Sequence, residues 1–370
     1  MPLSRRRFCH LVGAGVPIAM LDPRRAMSAT VPVSGDEASA PLIRLDSNEN
    51  PYGPWPSART AMGKAMADGG RYPATQSLVT AIAEANGASP ANVLLTVGAT
   101  EGLVISAEAF TRPDAALVTA TPSYGAIVSA TERLGHPVIR VPILADGRVD
   151  LDAMAERSRG AGLVYVCNPN NPTGSIVSAG ALRAFIARVA ETSPRTTIIV
   201  GEVYHEYIDT PAYATMVPEA LANPRLLINR TFSKMYGLAG MRLGYLIGRE
   251  ETLKAVASLR VPLGANIAAM AAASASLADS AERLRQRQLN TAGRRKAERF
   301  FADRGWRFHP AEANYLFVDV KRDIAPFRVA CEEKGLLIGR PYPPADTWAR
   351  LTIGTPDEMR GAFRILETLL

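Results

Sequence analysis

The sequence predicts an α/β fold built on a mostly parallel sheet. Short apolar runs of strand length recur between residues 92 and 247, and segments of helical character separate most of them. Hydrophobic residues make up 47% of the 370-residue chain, enough for a large core and for two domains. The polar clusters with chemical potential fall at strand ends and loops, where sheets of this kind bind ligands.

The first 29 residues read as a leader. Arg5-Arg6-Arg7-Phe8 precedes a short apolar run, Leu11 to Leu21, and small residues follow at Ala26, Ser28 and Ala29. This is the order of a secretory signal peptide, and the run is too short to span a bilayer. The twin arginine before Phe8 resembles the bacterial twin-arginine export signal, a route that carries folded proteins. A periplasmic or exported location is therefore expected, with no stable membrane insertion. Residues 30–40 are small and polar and read as a linker.

In the body, helices are expected over 57–68 and 76–86, then a strand at 92–97 and an alanine-rich helix at about 101–110. Further strands are expected at 115–119, 137–141, 162–167, 197–201, 226–230 and 243–247. Helices fit 124–134, 150–157, 178–190 and 251–259. After Pro262 the chain turns dense in alanine and charge, and a helix over 266–290 is expected to bridge two units. Residues 315–320 and 349–353 read as strands of a smaller α+β unit. The expected organisation is a signal peptide (1–29), an N-terminal arm with part of the small domain (30–75), a large domain (76–262), and an interdomain helix with the C-terminal small domain (263–370).

Charge and cysteine usage narrow the function. Of the formal net charge of +7, the leader holds +4, since it carries five arginines against Asp22, which leaves about +3 for the rest. No basic stripe remains to bind nucleic acid. Cys167 and Cys331 sit in apolar surroundings, and neither the cysteines nor the four histidines have metal-ligand spacing. Free buried thiols and no metal site are expected.

The strongest cluster is Thr231-Phe232-Ser233-Lys234-Met235-Tyr236-Gly237, followed by Arg242, eight residues after the lysine. A lysine at a strand-to-loop junction can meet an aldehyde cofactor, and a guanidinium can grip a phosphate in bidentate fashion. Gly98-Ala99-Thr100 opens a helix, whose free amides and dipole favour an anion. With Asp46-Ser47-Asn48-Glu49-Asn50-Pro51-Tyr52-Gly53 near the start and Arg350-Leu351-Thr352-Ile353-Gly354 near the end, these motifs span nearly the whole body. In that order they resemble the fold-type-I pyridoxal-phosphate aminotransferases, most closely the histidinol-phosphate aminotransferase type.

The resemblance implies a mostly parallel seven-stranded sheet, a smaller α+β domain, and pyridoxal 5'-phosphate (PLP) as cofactor. It implies that Lys234 carries the cofactor as a Schiff base and shuttles the substrate α-proton. Arg242, Thr231, Ser233 and the amides of Ala99 and Thr100 would hold the phosphate. Tyr124 would stack on the pyridine ring, while Asn171 and Tyr204 would bond its phenolic oxygen. Arg350 would clamp the substrate α-carboxylate, with Asn48, Tyr52, Asn314 and Arg340 on the substrate side. Tyr72 matches a tyrosine that reaches the cofactor phosphate of a neighbouring subunit, implying a homodimer.

One position departs from the pattern. The family places an aspartate against the pyridine nitrogen, three residues before the tyrosine. Here Gly201-Glu202-Val203-Tyr204 puts a glycine there. Glu202 is adjacent but points to the opposite face of a strand, so it is not expected to substitute. Gly201→Asp is expected to speed α-proton removal unless the site has closed over the missing side chain.

The expected activity is transfer of an amino group between an L-amino acid and a 2-oxo acid. An export signal points to a substrate outside cytoplasmic histidine synthesis, with aromatic and basic amino acids as candidates. The lost aspartate keeps two alternatives open: racemisation, elimination or oxidation on the same scaffold, and a cofactor-binding protein with little catalysis.

Overall fold

The computed structural model describes residues 42–260, 262 and 264–369. The expected leader and linker lie outside these residues. The strands are β1 (Ile43–Leu45), β2 (Val93–Thr96), β3 (Leu117–Thr121), β4 (Val138–Pro142), β5 (Leu163–Cys167), β6 (Thr197–Gly201), β7 (Leu226–Thr231), β8 (Gly244–Gly248), β9 (Tyr315–Asp319), β10 (Leu336–Ile338) and β11 (Trp348–Thr352). The first helices are α1 (Pro56–Ala65), α2 (Gln76–Ala85), α3 (Gly98–Phe110), α4 (Ala126–Arg133), α5 (Leu151–Arg157) and α6 (Ala179–Thr192). They are followed by α7 (Val217–Ala222), α8 (Glu250–Ala257), α9 (Ile267–Ala278), α10 (Ser280–Ala302), α11 (Ile324–Glu333) and α12 (Pro356–Leu369).

The seven strands expected in the first part of the body form one sheet, in the order β2-β8-β7-β6-β5-β3-β4. Its pairs are parallel from β7 across to β4, because helices carry the chain back between these strands. The exception is β8, antiparallel to both β7 and β2. It is joined to β7 by a loop without a crossover helix, and Thr231 faces Gly244 across the pair. That return places Lys234 and Arg242 on the same loop at the end of the sheet.

Alternation divides each central strand between two cores. In β5, Val164 and Val166 join a cluster with Ile198, Val200 and Ile228 on one face. Leu163, Tyr165 and Cys167 join Ile199, Leu227 and helix residues Leu103, Ile127 and Leu253 on the other. Burial on both faces explains why these strands read as continuous apolar runs. Cys167 and Cys331 are buried free thiols.

A separate core gathers Leu45, Phe301, Leu316, Val318, Phe327, Leu336, Leu351 and Phe363. It holds β1 parallel to β10 and β9 antiparallel to β11. The two three-residue strands and helices α7, α11 and α12 were not anticipated from the sequence pattern. A three-residue strand is too short to show a period, and β1 meets β10 across almost the whole body.

The expected helix over 266–290 is corrected to two helices. Asp279 breaks it, with its side chain accepting from the Glu282 backbone N–H as the cap of α10. Ser57 Oγ donates to the same carboxylate at 2.8 Å. The propensity of the run favours a helix on both sides of Asp279, and this aspartate satisfies the amides that a second start exposes. Among the described residues, no helix is long and apolar enough to cross a membrane.

Candidate active site

The site forms where the ends of β5, β6 and β7 meet chain segments from both ends of the sequence. Lys234 lies three residues beyond β7. Its Nζ donates to the Ser47 carbonyl at 3.1 Å and stands 5.8 Å from the Tyr204 ring centroid. Burial lowers its pKa to about 7, and the nearby Arg350 and Arg242 cations add to that effect while Glu49 opposes it. A lysine so placed is about half neutral near pH 7, and the neutral amine is the form an aldehyde requires.

Tyr204, just past β6, is buried and acts as a hub. Its hydroxyl oxygen accepts from Asn48 Nδ2 at 3.0 Å and from Asn171 Nδ2 at 3.4 Å. Asn171 Oδ1 in turn accepts from Arg350 Nη1 at 2.8 Å, and Arg350 Nη2 donates to the Asp46 carbonyl. Asn314 Nδ2 donates to the Asn48 and Glu49 carbonyls at 3.1 and 3.2 Å. Asn48 itself has φ 53°, a left-handed conformation that asparagine tolerates better than most residues. Two buried polar atoms of this cluster, Arg350 Nε and Asn314 Oδ1, have no hydrogen-bond partner. Buried polar atoms are nearly always hydrogen-bonded, so an unpaired one points to a functional role or to a bound water or ion.

A second set of groups surrounds the first turn of α3. Gly98 has φ +72°, and a Cβ there would lie 2.5 Å from Arg242 Nη2. A Cβ on Gly244 would meet the Ala99 amide nitrogen at the same 2.5 Å. Missing side chains thus let the guanidinium stand over a helix N-terminus, an arrangement suited to an anion. Arg242 Nη1 donates to the Ala239 carbonyl at 2.8 Å. Thr231 and Ser233 bring their hydroxyl oxygens within 2.9 Å of each other, and Thr100 Oγ1 lies 3.0 Å from the Tyr124 hydroxyl.

Other expected residues stand apart from this cluster. Tyr72 is 86% exposed. Arg340 is exposed, with its guanidinium 4.4 Å from the Tyr342 ring centroid, and it lines a cavity of about 150 Å³ with Tyr124. Tyr52 is half-buried, and its backbone N–H is bonded to Asn50 Oδ1 at 3.0 Å.

Residues 40–366 match the family aminotransferase class I and II. The chain belongs to this family. It is 36% identical over 347 residues to histidinol-phosphate aminotransferase 1 of Cupriavidus pinatubonensis, covering 90% of this chain and 89% of the relative. It is also 36% identical to an aromatic amino acid aminotransferase of Thermobifida fusca, covering 88% and 89% of the two chains. The crystal structure of histidinol-phosphate aminotransferase from Sinorhizobium meliloti in complex with pyridoxal-5'-phosphate is similar, with a TM-score of 0.81, 28% identity, and coverage of 88% of this chain and 91% of that one.

This aminotransferase is a PLP-dependent enzyme, and its small-molecule substrates are amino and keto acids. The residues present fit the cofactor. Lys234 supplies an amine of lowered pKa, the Gly98–Arg242 cradle supplies an anion site, and Tyr204 with Asn171 supplies polar contacts between them. These groups come from four separate segments of the large sheet's region, between residues 98 and 242.

The position that departs from the family is also explained. Gly201 ends β6, and a Cβ on it would lie 2.8 Å from the Tyr165 hydroxyl oxygen and 3.1 Å from Tyr165 Cε2. The site has closed over the missing side chain, so the expectation that Gly201→Asp alone speeds the reaction is corrected: aspartate would collide with Tyr165. Glu202 is committed elsewhere, as expected. Its carboxylate accepts from Arg230 Nη2 at 2.7 Å, Thr215 Oγ1 at 2.8 Å and the Met216 backbone N–H at 2.7 Å. Tyr165 went unnoticed because it reads as one residue of an apolar strand. Alternation from Cys167 would have placed it on one face of β5, but its approach to Gly201 depends on the β5–β6 register.

Proposed function

We propose that this aminotransferase acts on an L-amino acid bearing a free α-carboxylate, with a 2-oxo acid as amino acceptor, and that the cleft around Lys234 is where it does so. The observation that carries the reading is the buried Arg350 guanidinium, linked through Asn171 to the Tyr204 hydroxyl beside the Lys234 amine, with its Nε lacking a hydrogen-bond partner. A carboxylate is the natural complement of a buried guanidinium whose hydrogen-bonding capacity is not filled.

Bound PLP supplies an electron sink for the charge left on the substrate α-carbon. The rest falls to the chain. Arg242, the first amides of α3, Thr231 and Ser233 would hold the phosphate, and Tyr124 would lie against the ring. The Tyr204 hydroxyl, positioned by Asn48 and Asn171, would bond the phenolic oxygen. Arg350 would hold the carboxylate, beside Asn314, whose amide fixes the Asn48 and Glu49 carbonyls. This would hold the α-hydrogen near Lys234 Nζ, whose neutral amine can take up the α-proton and release it again. Orientation and preset dipoles contribute most of the rate, because they need no rearrangement during the reaction.

The names of the relatives direct the choice of test compounds. Purified enzyme is mixed with aromatic amino acids, basic amino acids and histidinol phosphate, each with 2-oxoglutarate, and oxo-acid product is measured. Turnover of an amino acid is expected. Turnover of histidinol phosphate alone, which has no carboxylate, would refute the reading.

The same reading includes export in folded form by the twin-arginine leader, supported by Arg5-Arg6 and the short apolar run after them. It also includes a homodimer in which Tyr72 reaches the neighbouring subunit's cofactor phosphate. The exposure of Tyr72 on the isolated chain supports that placement.

A further inference from the structure

The ring of PLP has four polar attachments, and the chain offers a place for each. The aldehyde carbon would meet Lys234, the phosphate the Gly98–Arg242 cradle, and the phenolic oxygen Tyr204. The ring nitrogen is para to the aldehyde carbon, so a ring held at those three points would turn its nitrogen away from Lys234, toward the ends of β5 and β6, where Cys167 pairs with Gly201.

No carboxylate reaches this floor from Gly201. The Tyr165 hydroxyl fills the space instead, 2.8 Å from where a Gly201 Cβ would stand. Tyr165 is fully buried, and it packs on the same face of the sheet as Cys167 and the half-buried Tyr124. Cys167, Tyr124 and Tyr204 are the ionisable groups that bear on its hydroxyl, and the Cys167 thiol itself donates to the Pro169 carbonyl at 3.2 Å. The adjacent acid, Glu202, is neutralised by Arg230.

We propose that the Tyr165 hydroxyl takes the place of a carboxylate against the pyridine nitrogen, donating a hydrogen bond to it, so that this enzyme works with an unprotonated ring nitrogen. The inference rests on the reading that Lys234 carries PLP in this cleft. The physical reason is charge. A carboxylate stabilises a protonated nitrogen through an ion pair, whereas a neutral hydroxyl can only donate to a lone pair or accept from a cation it does not balance. Burial pushes the Tyr165 and Cys167 groups further toward their neutral forms, so neither supplies the missing negative charge.

The test uses holoenzyme loaded with PLP carrying nitrogen-15 in the ring, observed by NMR. The wild-type signal is expected in the unprotonated pyridine range. In Tyr165→Phe it is expected to move further from the pyridinium position as the hydrogen bond is lost, with PLP affinity about fivefold weaker, the size of one neutral hydrogen bond. In Tyr165→Phe/Gly201→Asp, where the clashing hydroxyl is gone, a pyridinium signal is expected. A pyridinium signal in wild type overturns the proposal without any variant being needed. An unprotonated wild-type signal that does not respond to Tyr165→Phe overturns the assignment to Tyr165. The same wild-type sample is reduced with borohydride and mapped by mass spectrometry. An adduct on Lys234 upholds the underlying site, and an adduct on any other lysine overturns the site and this inference with it.

Discussion

Glu202 and Arg230 form an ion pair at 2.7 Å with side chains only 1% and 4% exposed, on the face of the sheet turned away from Tyr165. The pair binds the end of β6 to β7 and draws in Thr215 and Met216. Arg230 is held charged well above its usual range, chiefly by Glu202 against the cost of burial. Removing one partner leaves a buried charge uncompensated. Glu202→Ala is therefore expected to destabilise the protein by about 3 kcal/mol or more in urea unfolding. A loss below about 1 kcal/mol would show the pair to be dispensable.

The Lys234 pKa of about 7 has a pH consequence. Apoenzyme can capture PLP only through the neutral amine. The capture rate is expected to rise about tenfold per pH unit below 7 and to level off above about 8, as followed by stopped-flow absorbance. The sign for stability agrees. Between about 7 and the ordinary lysine value of 10.5, the unfolded chain binds the proton and the folded chain does not, so this group makes apoenzyme stability rise with pH in that window. A capture rate still climbing at pH 9 would contradict the lowered value.

Arg350→Lys tests the carboxylate clamp. Lysine keeps the charge but loses the fork, including the bond to Asn171 and the unpaired Nε. A fall in kcat/KM of about 30-fold is expected for the preferred amino acid, roughly the value of one charge-assisted hydrogen bond near 2 kcal/mol. PLP absorbance should be retained. Unchanged kcat/KM would place the substrate carboxylate elsewhere.

Export is tested by replacing Arg5 and Arg6 with lysine in a bacterial host and fractionating the cells. Active enzyme is expected to move from the periplasm to the cytoplasm. Unaltered periplasmic delivery would mean the leader does not use the twin-arginine route.

A homodimer predicts a light-scattering mass of about twice one mature chain for the holoenzyme. Tyr72→Phe is expected to weaken PLP affinity about fivefold without unfolding the subunit, because Tyr72 is 86% exposed on its own chain. A monomer with full activity would exclude shared sites.

The seven-stranded sheet was legible in the sequence because both its faces are buried. Strands such as Leu163–Cys167 and Leu226–Thr231 read as unbroken apolar runs, and nothing in their surroundings competes with that signal. Lys234 and Arg242 were legible for a different reason. They share one loop, so their company is written in consecutive residues. The short strands β1 and β10 were not legible, since each exists only because the other, almost three hundred residues away, supplies its hydrogen bonds.

The sequence by itself pointed to an α/β fold through its apolar runs, and the resemblance of its ordered motifs to the PLP aminotransferases implied that Lys234 carries the cofactor and that Gly201 leaves a place without a carboxylate. Strand patterns and motifs are legible because each is written in a few consecutive residues. Only the tertiary structure decided what stands in that place. The meeting of Tyr165 with Gly201 depends on the β5–β6 register, which pairs Cys167 with Gly201 through backbone hydrogen bonds and turns alternate side chains to one face. The meeting of Asn48, Asn171, Tyr204 and Arg350 depends likewise on cores that bring four distant segments together, and those contacts are long-range by nature.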